Sequence, residues 1–169
     1  MRKLVTALIA LVVLSAATMA MAAPIVMDGS TTVLPFGQAA VEQFMKENAG
    51  VKFSVSGTGT GNGFKSLADG SAQIANASRF IKDSEIKTCM DKNIYPVPFA
   101  VALDCIVPIV HKDNPVKELT RAQLKDIYSG KVANWKEVGG QDLEITVINR
   151  ASGSGTRAVF EKAVLNGTK

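Results

Sequence analysis

From residue 25 onward the chain alternates short β-type runs with amphipathic helical patterns, and glycine, serine, threonine or asparagine marks each handover. IVMD, VKFSVS, AQIANA and VPFA read as strands, and LPFGQAAVEQFMKENA, NGFKSLADG and KDSEIKTCMDKN read as helices. Two parallel strands cannot be joined by a tight turn and need a crossover, usually a helix. A βαβα rhythm therefore predicts a parallel, doubly wound α/β sheet whose loops gather at the carboxyl ends of the strands, where open α/β sheets hold ligands.

Within this pattern, Pro35 suits the first turn of a helix, and Phe36, Ala40, Val41, Phe44 and Met45 share one face and are expected in the core. LDCIVPIVHKDNPV reads as a buried strand leaving one lobe, with a turn at Asp113-Asn114-Pro115 opening another. The helix LTRAQLKDIYSG carries its own punctuation: Thr120 and Gln123 at capping-box spacing, and Gly130 past the end. NWKEVGG is turn-rich, and LEITVIN reads as a further strand. The lobe boundary is expected near residues 100–110.

Four strand-end loops carry the same chemistry. MDGSTTVLP supplies Ser30, Thr31 and Thr32; SVSGTGTGNGFK supplies Thr58, Thr60 and Gly61; ANASRF supplies Ser78 and Arg79; NRASGSGTRAVFE supplies Arg150, Ser154, Gly155 and Thr156. Each precedes a helical pattern, and a helix N-terminus offers unpaired N–H donors and about half a positive charge. Hydroxyls, bared backbone and arginine forks at such places suit a tetrahedral oxyanion. Any one of these loops alone is explained by ordinary capping; recurrence with two arginines favours an anion site. That reading requires the Arg79 and Arg150 guanidinium groups to face a common hollow. Asp104, if it faced the same hollow, would only accept hydrogen bonds and so favour a protonated ligand such as monohydrogen or dihydrogen phosphate over sulfate. Equally, Asp104 could merely balance an arginine.

The chain opens on MRK, an apolar LVTALIALVVLSAATMA and the small-x-small site Ala20-Met21-Ala22, the pattern of a cleavable signal peptide over residues 1–23. Its removal takes Arg2 and Lys3, so the formal charge of +4 falls to +2. No clustered basic face with interleaved aromatics is present, which argues against nucleic acid, and no later run approaches a spanning length, which argues against membrane insertion. Cys89 and Cys105 could bridge in an oxidising space or remain two buried thiols. With His111 the only histidine, no metal site is expected and no cofactor is called for. GTGNGFKS comes close to a P-loop, but Phe64 stands where that motif needs its last glycine, and no GxSxG occurs. Catalysis is disfavoured.

The segments GSTTVLP, SGTGTGNGFKSLADG, IANASR, LTRAQLKDIYSGKVANWKEVGG and INRASGSGTRAVFE, in this order, resemble the phosphate-binding subunit of bacterial ABC phosphate importers, a type II periplasmic binding protein. The resemblance implies a type II periplasmic-binding-protein fold of class α/β, with two lobes of mostly parallel sheet and a ligand cleft between them. The lobes would span residues 24–103 and 104–169. It implies a monomeric exported receptor that takes inorganic phosphate and delivers it to a membrane permease. By position it implies ligand contacts at Ser30 and Thr31, at Thr60, at Arg79 and Asp104, and at Arg150, Ser154, Gly155 and Thr156. Thr60 stands where the family often has serine, and Cys105 where glycine is usual. Members of the family run on well past the position of Lys169, so the chain is expected to be incomplete at its C-terminus. A receptor for sulfate, molybdate or another oxyanion, and a non-binding interaction module, are the remaining alternatives.

Overall fold

The computed structural model describes residues 23–166, so the expected signal peptide lies, save for Ala23, outside the described residues. Three strands, β1 (Ile25–Gly29), β2 (Phe53–Val55) and β3 (Ile74–Asn76), form one parallel sheet in the order β2-β1-β3. Ile25 pairs with Phe53 on one side, and Met27 with Ile74 on the other. Helix α1 (Leu34–Glu47) links β1 to β2, and α2 (Thr60–Ala68) links β2 to β3. Helix α3 (Asp83–Met90) follows β3 and packs on α2. The expected βαβα order is thus realised, with Pro35 in the first turn of α1.

Helix spacing decides what is buried. In α2, Thr60, Phe64 and Ala68 recur every fourth position and are all buried against the sheet. A Cβ on Gly63 would stand 2.6 Å from the Gly29 Cα and 2.8 Å from the Asp28 carbonyl oxygen, so glycine there lets α2 lie directly on β1. The expectation for α1 needs correction: Val41 and Gly37 are buried and Met45 is half-buried, but Phe36, Ala40 and Phe44 are exposed. The packed stripe runs Gly37–Val41–Met45, and Phe44 sits beside it with its ring edge-on to Phe53 at 5.9 Å.

Helices α4 (Arg121–Tyr128) and α5 (Gly155–Val164) form a second packed pair, with a 3-10 turn (Trp135–Val138) between them in the chain. Tyr128 and Phe160 meet at 4.6 Å between ring centres, and Ile127 and Leu165 are buried nearby. The Thr120–Gln123 capping box forms as expected: the Gln123 N–H donates to the Thr120 hydroxyl at 3.2 Å and the Thr120 N–H to the Gln123 side-chain oxygen at 2.8 Å. Gly130 closes the helix at φ 77°.

Three expected strands do not form. VPFA and the apolar LDCIVPIV are irregular, and LEITVIN keeps only an isolated antiparallel bridge, Asn134 to Glu144. Leu103 is 101% and Ile109 91% exposed. A strand exists by virtue of its neighbours, and among the described residues no backbone–backbone hydrogen bond engages Tyr95 to Val110. The turn that follows is centred on Lys112-Asp113, where the Asn114 N–H donates to the His111 carbonyl at 3.0 Å. Cys89 is fully buried in α3 and Cys105 exposed, both as free thiols. Burial, reinforced by Glu85, pushes the Cys89 thiol pKa up.

Candidate functional site: a hydroxyl-lined anion cavity

Because β1, β2 and β3 are parallel, the loops after them leave the same edge of the sheet. The segment Arg150–Gly155 closes over these loops and encloses with them a cavity of about 340 Å³. The first loop contributes Ser30, Thr31 and Thr32; the second contributes Gly57, Thr58, Gly59, Thr60 and Asn62; the third contributes Ser78.

The loops are tied to one another by backbone. The Ser30 N–H donates to the Asn76 carbonyl at 2.8 Å, the Gly59 N–H to the Gly29 carbonyl at 2.7 Å, and the Gly61 N–H to the Gly153 carbonyl at 3.1 Å. Side chains complete the closure. Arg150 donates from Nη2 to the Thr31 hydroxyl at 2.6 Å, and the Thr32 and Thr156 hydroxyls pair at 3.1 Å. Gly155 starts α5 against the buried Thr60 and the half-buried Ser78, whose hydroxyls lie 3.2 Å apart. A Cβ on Gly155 would fall 2.5 Å from the Thr60 oxygen and 2.6 Å from the Ser78 oxygen, so a glycine is required for that approach.

The hydroxyls are oriented by what they accept. The Ser30 oxygen accepts from the N–H groups of Thr32 at 3.2 Å and Val33 at 3.4 Å. The Thr60 oxygen accepts from the Ser78 N–H at 3.2 Å, and the Ser154 oxygen from the Arg157 N–H at 3.3 Å as the cap of α5. Thr31 accepts from Arg150. A hydroxyl that accepts from a nitrogen keeps its own proton available, so Ser30, Thr31 and Ser154 can donate to a ligand. Arg150 supplies the positive charge of the wall, and the N-termini of α2 and α5 lie beside it, with the Gly61 N–H spent on Gly153 and the Arg157 N–H on Ser154.

Eight of the twelve expected contact residues line this cavity: Ser30, Thr31, Thr32, Thr60, Ser78, Arg150, Ser154 and Gly155. Thr156 reaches it through Thr32, and Gly61 directs its N–H to Gly153. Two expectations are corrected. Arg79 does not face the cavity; it grips Glu85 with both nitrogens at 2.8 and 2.7 Å, donates to the Phe80 carbonyl and covers the Phe64 ring at 5.1 Å. The condition set for the anion reading, two guanidinium groups on one hollow, is not met: Arg150 alone lines the cavity, and the reading rests instead on the hydroxyls and backbone of the wall. Burial would raise the Glu85 carboxyl pKa, but Arg79 and the Lys82 N–H outweigh it and hold it below the ordinary value. Asp104 is exposed on the unpaired segment and accepts from the next residue's N–H at 2.8 Å, because the strand that would have carried it to the sheet edge is not formed.

Sequence reading passed over Asp28, which sits buried behind the second loop. Its carboxylate accepts from Ser56 at 2.7 Å, from Thr58 at 2.9 Å to each oxygen, and from Ser66 at 3.0 Å. Burial would raise its pKa, yet these hydroxyls and the Gly29 N–H together bring it below the ordinary value. An acid directly before GSTT was the available signal. Asn62 and Ser152 were likewise missed as cavity residues, though both lie inside the quoted motifs.

Comparison with known proteins is consistent with this architecture. The chain is 39% identical over 145 residues to the SphX protein of Synechococcus elongatus, covering 82% of this chain and 43% of that one. It is 37% identical over 145 residues to the phosphate-binding protein PstS of Bacillus subtilis, covering 84% and 46%. The chain thus spans about half the length of the curated relatives it matches. A crystal structure of a phosphate ABC transporter substrate-binding protein from Clostridium perfringens, with bound phosphate, superposes with a TM-score of 0.75 at 39% identity, over 84% of this chain and 56% of that one. A family model described as a PBP superfamily domain matches residues 15–169. On the sheet, the cavity at its carboxyl edge and this match, the chain belongs to the PBP superfamily.

Proposed function

We propose that this chain captures inorganic phosphate in the hydroxyl-lined cavity and hands it to an ABC-type membrane importer, acting as a monomer in the periplasm after loss of residues 1–23. The observation that carries the reading is the cavity wall itself. Loops from three parallel strands and the start of α5 converge there, with one guanidinium group and free hydroxyl protons pointing to the needs of an oxyanion. Supporting it, a relative of the same sequence type is named a phosphate-binding protein, and a structural neighbour holds phosphate. The division into units 24–103 and 104–169 goes with this reading, since each supplies part of the wall.

Among the described residues the wall offers no carboxylate, imidazole, thiol or amine, so it favours holding an anion over transforming one. Titration calorimetry of the full chain with phosphate tests the proposal. Saturable 1:1 uptake that is weakened in Arg150→Ala is expected. Absence of uptake, or release of phosphate from an added phosphoester, would overturn it.

A further inference from the structure

Three hydroxyls near the cavity point away from it. Ser56 directly after β2, Thr58 in the second loop and Ser66 in α2 all donate to one group, the Asp28 carboxylate of β1, at 2.7, 2.9 and 3.0 Å. Asp28 is 6% exposed, and among the described residues no ion pair includes it. A buried charge is costly unless hydrogen bonds satisfy it, and an apolar side chain would fill the same space without that cost. What the carboxylate adds is direction. It can only accept, so it fixes all three hydroxyl protons at once, whereas an amide in its place would set a donor against one of them.

That direction decides where the second loop runs. Between Ser56 and Thr60 the chain crosses from β2 over the end of β1 into α2. The Ser56 N–H donates to the Met27 carbonyl at 2.9 Å and the Gly59 N–H to the Gly29 carbonyl at 2.7 Å. Between these two fastenings stands Thr58, exposed as a residue, yet with its hydroxyl 2.9 Å from each Asp28 oxygen. Just beyond it, Gly59 and Thr60 line the cavity, and the Gly61 N–H meets the Gly153 carbonyl of the closing segment. Ser66 grips the same carboxylate from α2 and is no part of the wall.

We propose that Asp28 is a positioning residue for anion capture: acting through the Thr58 hydroxyl, it holds the second loop where Gly59 and Thr60 line the cavity and Gly61 meets the closing segment. The proposal rests on the anion-capture reading above. Its sign separates it from plain electrostatics. A negative charge behind an anion cavity repels the anion, so by charge alone its removal would tighten capture. By position, its removal releases the loop and weakens capture.

The test measures inorganic phosphate binding to the full chain by calorimetry and stability by urea unfolding, in wild type and variants. Asp28→Asn should weaken phosphate binding by about tenfold, the worth of one hydrogen bond to a charged group. Thr58→Val should do the same, and Thr58→Ser, which keeps the hydroxyl, should recover most of that loss. Combining Asp28→Asn with Thr58→Val should weaken binding no further than either change alone, because both cut one tie. Ser66→Ala takes a donor from the same carboxylate without touching the wall, so it should lower stability and leave phosphate affinity unchanged. If Asp28→Asn stays folded and binds phosphate as tightly as the wild type or more tightly, or if Ser66→Ala weakens binding as much, the inference is overturned while the capture reading stands. Where Asp28→Asn does not fold, the Thr58 variants decide: equal affinities in Thr58→Val and Thr58→Ser overturn it. If the wild type takes up no phosphate, the capture reading falls and this inference with it.

Discussion

Replacing Gly155 by alanine probes the contact that brings α5 onto the strand-end loops. The new Cβ would lie 2.5 Å from the Thr60 oxygen and 2.6 Å from the Ser78 oxygen, about half an ångström inside the 3.0 Å that real Cβ contacts essentially never breach. Thr60 is 1% exposed and bonded to Ser78 through both its side chain and the Ser78 N–H, so neither partner can swing away cheaply. The residues before Gly155 are irregular, which leaves α5 free to retreat. Overpacking of this kind costs about 1–3 kcal/mol, and that freedom puts the expected loss of stability near 1 kcal/mol. Retreat also withdraws Gly155 and the Ser154 hydroxyl from the cavity, so phosphate affinity should fall by about tenfold or more. Urea unfolding and calorimetry measure the two effects. The double variant Gly155→Ala with Ser78→Ala removes one of the two clashing oxygens and should recover part of the stability. Unchanged stability and affinity in Gly155→Ala would refute the claim that the cavity depends on this approach.

Arg150→Ala removes the guanidinium that lines the cavity and engages Thr31, and calorimetry should find phosphate binding weaker by about 1.5–3 kcal/mol with a flatter dependence on salt. Asp104→Asn should leave the phosphate-to-sulfate preference of this chain where it is, because the residue is exposed and outside the wall; a changed ratio in competition titrations would bring Asp104 back into the site. Arg79→Ala leaves the Glu85 carboxylate without its cation and should lower stability at neutral pH by about 2 kcal/mol in urea titrations. Glu85 has its folded pKa depressed, so its contribution is present above the ordinary 4.5 and is lost as pH falls through the folded value; the gap between wild type and Arg79→Ala should therefore shrink below about pH 4.5.

The arginines illustrate how a site was half legible. Both stood in strand-end loops beside small hydroxyl residues, and nothing in the spacing separated them. What separated them was Glu85, six positions after Arg79 and on the first turn of α3, which returns beside the third loop and captures both guanidinium nitrogens. Asp28 was overlooked for the complementary reason. A lone acid at a strand end looks unremarkable until β2 and α2 bring Ser56, Thr58 and Ser66 around it.

By itself the sequence determined the local features. The helix with Pro35 in its first turn, the helix that begins after Thr120, the glycine stop at Gly130 and the hydroxyl-rich loops all follow from residues within a few positions of one another, where sterics and capping act. Tertiary structure alone decided the rest. Whether Leu103–Val110 becomes a strand depends on a neighbour to bond with, and whether Arg79 or Arg150 meets the cavity depends on which acid or hydroxyl lies opposite. Whether Thr58 donates or accepts depends on a carboxylate thirty residues away. Hydrogen bonds and ion pairs between distant segments have no signature in the spacing of either one, because their free energy exists only once the sheet has set the two side by side.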